Sequence, residues 1–245
     1  MEKLKPRAVL FDLGSTLIEY EVLSWDELGE KCVKHAHDFL VARKIETGGN
    51  GRFEVTFNEI RDGYRKRAAE RLVEWDVVQV ASDLFDRFGV NYDDVFLGEF
   101  FDAYYQPVAE MLYAYDDAVE TLQKLKTRYK VIGLISNTVF PERAHRHELE
   151  RFGLDPYLDF ALFSSTFGLR KPHPDIFLKA ANMAGCAPSE CVYIGDRYFE
   201  DIQGPTGVGM PAILKIKADR EYPEEMPEAT RRIHHLSELF EHIEM

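Results

Sequence analysis

The sequence predicts an α/β fold: a Rossmann-like parallel sheet sandwiched by helices, with a helical cap inserted after the first strand. Short apolar runs are typical of buried parallel strands, and helical patterns lie between them. One long segment without a convincing strand follows the first run. Strands that alternate with helices indicate a parallel sheet covered by helices on both faces.

The predicted strands are short runs rich in Val, Ile and Leu, each bounded by polar or turn residues. The three strongest are AVLFD (8–12), KVIGLIS (130–136) and CVYIGD (191–196). Two weaker candidates are DFALFSS (159–165) and PAILKI (211–216).

Three segments between these runs predict helices. The first, 116–129, carries apolar residues at helical spacing. The other two, 141–153 and 174–185, each begin at a proline and end at a glycine, which is typical of helix termini. The polar stretch 219–232 is predicted to lie on the surface.

The predicted cap covers residues 20–109, and residues 1–19 and 110–245 form the predicted α/β core. The cap segment contains four amphipathic stretches, around 24–44, 56–74, 77–88 and 93–109.

The charge balance is acidic, with 43 acidic against 30 basic residues and a net charge of −13. Nucleic-acid surfaces require clustered Lys and Arg, so we expect neither a nucleic-acid partner nor an anionic membrane surface. A small anionic substrate stays compatible, because a site can focus positive potential locally. No apolar run approaches the roughly 20 residues of a membrane helix.

The cysteine pattern favours a reducing compartment. The three cysteines, Cys32, Cys186 and Cys191, are odd in number and form no Cys-x-x-Cys pair. We therefore expect no disulfide framework and a cytoplasmic protein. The sequence leaves the oligomeric state open.

Polar residues end three of the predicted strands. They are Asp12, the pair Ser136 and Asn137, and Asp196, with Asp201 five residues further on. Ligands of an open parallel sheet bind at the carboxyl ends of its strands, so these side chains predict a site. Clustered carboxylates suit Mg²⁺.

Lys171 completes this group of residues. It precedes Pro172 and so lies off the following helix, where its ammonium could neutralise clustered acids and a phosphate.

Four motifs occur in order: FDLGSTL (11–17), LISN (134–137), RKPHPDIF (170–177) and GDRYFED (195–201). On these motifs the sequence resembles the haloacid dehalogenase superfamily, in its phosphatase-like branch with an inserted helical cap. The resemblance covers nearly the whole chain, although the cap matches only in position, size and helical character.

The resemblance implies a Mg²⁺-dependent phosphohydrolase acting on a small organic phosphate monoester. Asp12 would be the nucleophile and would form an aspartyl-phosphate. Asp12, Asp196 and the backbone carbonyl of Gly14 would bind Mg²⁺, and Asp201 would bind or orient that shell.

The same resemblance implies roles around the phosphoryl group. Ser136 would donate to a phosphoryl oxygen, helped by backbone N–H groups near Asn137 and Ser15. Thr16 would brace the loop, and Lys171 would balance charge between nucleophile and phosphoryl group.

Gly14 departs from the family pattern, which has a second aspartate there to protonate the leaving oxygen and activate water. Such acid–base catalysis is typically worth about 10²–10⁴-fold. We hypothesise an enzyme that favours good leaving groups or recruits its acid elsewhere, with Glu19, Ser15 and His173 as candidates.

Three alternatives stay open. A 2-haloacid dehalogenase needs no acid, but it also needs no metal, and its family members resemble one another in a tyrosine at the position of Gly14. A phosphonatase would use a cap lysine, for which Lys31, Lys34, Lys44 and Lys66 are available. A catalytically weak phosphate-binding or regulatory protein would bind without efficient turnover.

Two further groups of residues have simpler interpretations. Arg61, Arg65 and Lys66 are expected to form a solvated helix face rather than to contact substrate. The histidine pairs His35/His37 and His145/His147 are expected to be exposed, since i and i+2 do not share a helix face.

Overall fold

The central element is a six-stranded parallel sheet, as the sequence predicts. A computed structural model describes residues 2–48, 51–227 and 230–245. The strand order is β5-β4-β1-β6-β7-β8. The strands are β1 (Ala8–Phe11), β4 (Val131–Ser136), β5 (Phe160–Phe163), β6 (Cys191–Gly195), β7 (Ala212–Lys215) and β8 (Arg231–Ile233).

Both faces of the sheet are covered, which explains why its strands are continuous apolar runs. Val9 and Phe11 of β1 belong to one apolar cluster, and Ala8 and Leu10 to another. The first cluster contains side chains of helices α5 and α6, and the second contains side chains of α8. These helices span Ala118–Arg128, Glu142–Arg151 and Pro174–Met183.

Shorter helical segments complete the core. The α-helices are α7 (Ser164–Phe167), α9 (Gly204–Gly207) and α10 (Leu239–His242). Three 3₁₀ turns span Asp155–Tyr157, Pro188–Glu190 and Leu236–Glu238, and a π-helical turn spans Tyr198–Gln203.

The described part of the insertion that follows the first strand contains four helices: α1 (Trp25–Ala42), α2 (Arg52–Arg71), α3 (Val77–Phe88) and α4 (Asp94–Met111). A two-stranded antiparallel ribbon brackets them, because β2 (Ile18–Glu19) pairs with β3 (Tyr113–Ala114). The ribbon brings the two ends of the insertion together. The division of the chain at residues 20 and 109 stays a prediction.

The C-terminal stretch differs from the expectation of a polar surface segment over 219–232. Arg231 and Arg232 belong to β8, which extends the sheet beside β7 with Ile213 opposite Arg231. Glu228 and Ala229 lie outside the described residues. The apolar pattern of the sequence does not indicate this strand, because only Ile233 of its three residues is apolar and buried.

No helix in the ranges that the structure covers is long and apolar enough to cross a membrane.

Candidate active site

Three neighbouring strands deliver acidic and hydroxyl side chains to one edge of the sheet. β1 lies between β4 and β6, and Asp12, Ser136 and Asp196 lie at or directly after the ends of these strands. Carboxylate oxygens of Asp12, Asp196 and Asp201 lie within 4.8 Å of one another, and all three residues are buried. The predicted acidic cluster therefore exists at the predicted edge.

Lys171 is the centre of the hydrogen bonds in this cluster. Its Nζ donates to Oδ1 of Asp12 at 2.7 Å, to Oδ1 of Asp201 at 2.7 Å and to Oη of Tyr193 at 2.8 Å. These bonds use all three ammonium protons. Burial by itself lowers the pKa of Lys171, but the charges of Asp12 and Asp201 outweigh it and the pKa is raised. The side chain is held as a cation.

The side chain of Asn137 forms hydrogen bonds with the backbone of Lys171. Its Nδ2 donates to the Lys171 carbonyl at 2.9 Å, and its Oδ1 accepts from the Lys171 N–H at 2.7 Å. The residue also lines the cavity described below. Its amide therefore positions the lysine.

Both carboxylate oxygens of Asp201 accept hydrogen bonds from the protein. Oδ1 accepts from Lys171, and Oδ2 accepts from the N–H groups of Asp196 at 3.1 Å and Arg197 at 2.8 Å. The close approach of the Asp201 side chain to the backbone at residue 195 requires a glycine there, because a Cβ on Gly195 would lie 2.5 Å from Cγ of Asp201. This geometry suits a residue that orients its neighbours.

Asp196 has the opposite environment. In the part of the chain that the structure describes, neither carboxylate oxygen accepts a hydrogen bond, although Nη2 of Arg220 lies 2.9 Å from Oδ2. Burial, together with the charges of Asp12 and Asp201, raises its pKa well above the usual range. A buried carboxylate without donors fits a hard cation, so the set of oxygen ligands fits Mg²⁺.

Asp12 is also buried among carboxylates, but it accepts a hydrogen bond from Lys171. Burial raises the pKa of Asp12 to about 6, and the adjacent Lys171 limits that rise. Oγ1 of Thr16 lies 3.5 Å from Oδ2 of Asp12, at the limit of a hydrogen bond. Both contacts hold the carboxylate at the end of β1.

The loop after Asp12 is held by residues outside the strands. Ser15 adopts a φ of 56°, a left-handed conformation that costs energy for a residue with a Cβ. Its Oγ donates to Oε1 of Glu19 at 3.1 Å, and its carbonyl accepts from Nζ of Lys215 at 2.9 Å. Gly14 needs no positive φ, and an added Cβ would meet only Cδ2 of Tyr20 at 3.6 Å.

Two candidates for a substitute acid are occupied elsewhere. Glu19 accepts from Oη of Tyr115 at 2.6 Å and from Nζ of Lys217 at 3.2 Å. Burial raises the pKa of Glu19, but these bonds outweigh it and lower the pKa overall. His173 accepts the N–H of Asp175 at the start of α8. Neither residue lines the cavity.

A cavity of about 340 Å³ lies between the carboxyl edge of the sheet and the cap. Six of the predicted site residues line it: Asp12, Gly14, Ser15, Ser136, Asn137 and Lys171. Thr16, Asp196 and Asp201 are buried and are not among the residues that line it. The cap contributes aromatic and basic side chains, among them Trp25, Trp75, Tyr104, Arg61 and Arg65.

The cap arginines correct one expectation. Arg61 and Arg65 both line the cavity, and the Arg61 side chain is only 16% exposed, whereas Arg65 is exposed as well as lining the cavity. Lys66 is exposed, as expected. The four lysines considered for a phosphonatase, Lys31, Lys34, Lys44 and Lys66, are all exposed and none lines the cavity.

A buried polar cluster in the cavity wall corrects another expectation, because His145 is buried rather than exposed. Its Nδ1 lies 2.9 Å from Oε2 of Glu148, and its Nε2 lies 2.6 Å from Oγ1 of Thr138. Glu148 also accepts hydrogen bonds from the hydroxyls of Tyr20 and Tyr105. The polar sequence around α6 hides this site, since its partners come from distant segments.

Arg220 is a second residue that the sequence analysis missed. It lies in the stretch predicted to be surface, yet its guanidinium contacts both Asp196 and Glu21, whose Oε2 lies 2.6 Å from Nη2. No local pattern marks this arginine, because its partners are far away in the sequence.

Fold and site together define a class of α/β protein with a helical cap above a buried aspartate–lysine site. The chain belongs to the haloacid dehalogenase-like hydrolase family, whose profile matches residues 6–209. It is therefore a hydrolase.

The chain is similar to proteins of known name. Glyceraldehyde 3-phosphate phosphatase of Methanopyrus kandleri is 25% identical over 84% of this chain and 82% of its own length. Phosphoglycolate phosphatase of Xylella fastidiosa is 26% identical over 89% and 83%. A 2-haloacid dehalogenase structure from Pseudomonas syringae has a TM-score of 0.72 at 23% identity, with 97% of each chain covered. That last likeness concerns the fold.

Proposed function

We propose that this hydrolase is a Mg²⁺-dependent phosphatase that cleaves a small organic phosphate monoester through Asp12. One observation carries the proposal. Asp12 is paired with Lys171 at 2.7 Å, and carboxylate oxygens of the buried Asp196 and Asp201 lie within 4.8 Å of it. The names of two relatives, which act on glyceraldehyde 3-phosphate and phosphoglycolate, support a small phosphorylated substrate.

In the proposed reaction a carboxylate oxygen of Asp12 attacks phosphorus, and the bond from phosphorus to the ester oxygen breaks. The alcohol leaves with a proton from water, and Asp12 carries the phosphoryl group. Water then attacks phosphorus, the bond to Asp12 breaks, and inorganic phosphate leaves. Covalent catalysis of this kind splits one difficult displacement into two easier ones.

Lys171 would neutralise negative charge on Asp12 and the phosphoryl group in both steps of the reaction. It faces Asp12 before attack, and its ammonium is kept in place by Asp201 and by the amide of Asn137. A fixed cation at a site where negative charge accumulates needs no reorganisation during the reaction. Ser136 lies at the end of β4 and in the cavity wall, where it would donate to a phosphoryl oxygen.

Asp12, Asp196 and the carbonyl of Gly14 would hold Mg²⁺. When bound, the ion supplies positive charge to the phosphoryl oxygens and offsets the repulsion between carboxylates. Asp201 would orient the shell rather than join it, because its oxygens already accept three hydrogen bonds.

Gly14 limits the first step. No carboxyl group lies there to protonate the leaving oxygen, and Glu19 is held ionised by its partners. Acidic alcohols such as phenols leave as anions and need no proton from the enzyme. We therefore propose faster cleavage of aryl than of alkyl phosphates.

The phosphatase hypothesis is better supported than its alternatives. The exposed cap lysines offer no Schiff-base residue to the cavity, which argues against a phosphonatase. A dehalogenase needs no metal, so it has no use for the buried carboxylate cluster of Asp12, Asp196 and Asp201. A pure binding protein has no need for a lysine held by three hydrogen bonds against an aspartate.

Hydrolysis of 4-nitrophenyl phosphate and of an alkyl phosphate tests the proposal, with Mg²⁺ and with EDTA, on wild type and Asp12→Asn. We expect Mg²⁺-dependent release of phosphate by the wild type, faster from the aryl ester, and none by the variant. A 2-haloacid serves as a parallel substrate. Release of halide without release of phosphate would overturn the phosphatase in favour of a dehalogenase.

A further inference from the structure

Two arginines of the cap face the same cavity as the proposed nucleophile. Arg61 and Arg65 lie four residues apart on α2, so their side chains share one face of the helix. Both line the cavity that also contains Asp12. The cavity thus joins Asp12 at the sheet to two arginines of the cap.

The charges of these two arginines are available to a ligand. Among the described residues, the salt bridge of Arg61 is to its chain neighbour Asp62, at 3.3 Å, and that carboxylate is 63% exposed. Arg65 forms no salt bridge within residues 2–48, 51–227 and 230–245. The other cations in the cavity wall are engaged by carboxylates: Lys171 by Asp12 and Asp201, Arg170 by Glu74, and Arg197 by Glu21.

The cavity reverses the charge balance of the chain. Five basic and four acidic residues line it, whereas acidic residues are in excess overall. Of the four acids, Asp12, Glu21 and Glu74 have the partners named above. Glu200 lies in the π-helical turn after β6. Glu21 and Glu74 belong to the insertion like the two arginines, but each is paired with an arginine of the core, Arg197 and Arg170 respectively. Among the described residues, Arg61 and Arg65 have no such partner in the cavity wall, so their positive charge can hold an anion.

We propose that Arg61 and Arg65 bind a second anionic group of the substrate, a carboxylate or a phosphate carried by the leaving alcohol. The inference rests on the proposed function, because the phosphoryl group must occupy the Asp12 end. Arginine suits such a group, since its planar guanidinium donates two parallel hydrogen bonds to a carboxylate or phosphate. The cavity volume of about 340 Å³ suits a small substrate that carries both anions.

Competitive inhibition of 4-nitrophenyl phosphate hydrolysis tests this specificity without requiring turnover of the inhibitor. The inhibitors are 2-phosphoglycolate, which carries a carboxylate, ethylene glycol bisphosphate, which carries a second phosphate, and ethyl phosphate, which carries neither. Each is measured on wild type, on Arg61→Gln/Arg65→Gln, on Arg65→Gln alone, and on the matched control Lys66→Gln. Lys66 lies on the same helix, is exposed and does not line the cavity.

We expect at least one doubly anionic inhibitor to bind the wild type more tightly than ethyl phosphate. The double variant should lower that preference by about 10- to 100-fold, the scale of charge-assisted hydrogen bonds. Lys66→Gln should keep the preference. The carboxylate and bisphosphate arms show which anion the arginines select. The ratio is taken within one variant, so partial loss of folded protein cancels.

A preference that is absent from the wild type, or that survives in the double variant, would overturn the inference alone. If the wild type hydrolyses no aryl phosphate, the proposed function fails and the inference fails with it.

Discussion

The ammonium of Lys171 lies 2.7 Å from a carboxylate oxygen of Asp12 and 2.7 Å from one of Asp201. One acid is the proposed nucleophile, and the other is bound to the backbone of the loop after β6. A single cation therefore couples the position of the nucleophile to the position of the acidic loop. Several expected outcomes depend on this coupling.

Removing the lysine should remove most of the activity. We expect Lys171→Met to lower kcat for 4-nitrophenyl phosphate by about 10²–10³-fold, the scale found for a lost electrostatic donor at a reacting centre. Lys179→Met is the control, since Lys179 is exposed on α8. Equal kinetics for the two variants would contradict the role of Lys171.

Adding an acid at position 14 should help poor leaving groups. A side chain fits there, because its Cβ meets only Tyr20 at 3.6 Å, an ordinary contact. We expect Gly14→Asp to raise kcat/KM for an alkyl phosphate by up to about 10²–10⁴-fold, and to raise it less for the aryl ester. Gly14→Asn has a similar shape without the acid. Equal gains in both variants would show that proton transfer is not the cause.

The metal-free protein should become less stable as pH rises from about 4 to about 6. Burial raises the pKa of Asp12 to about 6 from an ordinary 3.8, so over this window the folded state binds more protons than the unfolded state. Urea unfolding in EDTA at a series of pH values measures the slope. A free energy of unfolding that increases across the window would contradict the assignment.

Replacing the carboxyl group of Asp196 by an amide should stabilise the metal-free protein and abolish its stabilisation by Mg²⁺. In EDTA at pH 7.5, Asp196→Asn should be more stable than wild type, because burial and the charges of Asp12 and Asp201 oppose ionisation of this carboxyl more than the ion pair with Arg220 at 2.9 Å supports it. Mg²⁺ should raise the Tm of the wild type but not of the variant. Glu30→Gln, an exposed change on α1, is the control. A variant that still responds to Mg²⁺ would remove Asp196 from the metal site.

The amide of Asn137 should act through Lys171. Asn137→Ala leaves the Lys171 carbonyl and N–H without this partner, and we expect a loss of about 1–3 kcal/mol in stability. We expect kcat to fall more than KM rises, because the lysine moves while the cavity wall persists. A change confined to KM would instead favour direct binding of substrate by Asn137.

Much of the fold follows from local patterns, as do the strand-end residues of the site. AVLFD, KVIGLIS and CVYIGD are continuous apolar runs because both faces of the sheet are covered, and this composition is visible without a structure. Asp12 and Asp196 interrupt or end such runs, so their place at the sheet edge follows from the strands.

Other features depend on contacts between distant segments. β8 has one buried apolar residue among three, and pairing with β7 defines it. Arg220 reaches Asp196 from a polar stretch with no motif. The burial of His145 depends on Glu148 and on tyrosines of two other segments. The access of Arg61 to the cavity depends on how α2 packs. None of these has a periodicity or spacing that a single sequence displays.

The most direct measurement is the mass of the protein after an acid quench during turnover of 4-nitrophenyl phosphate with Mg²⁺. We expect a fraction of the wild-type chain to gain one phosphoryl group, located by peptide mapping to the segment that contains Asp12. Asp12→Asn should gain none. A wild-type enzyme that turns over in the same experiment without this adduct, or that carries it on another residue, would contradict Asp12 as the nucleophile.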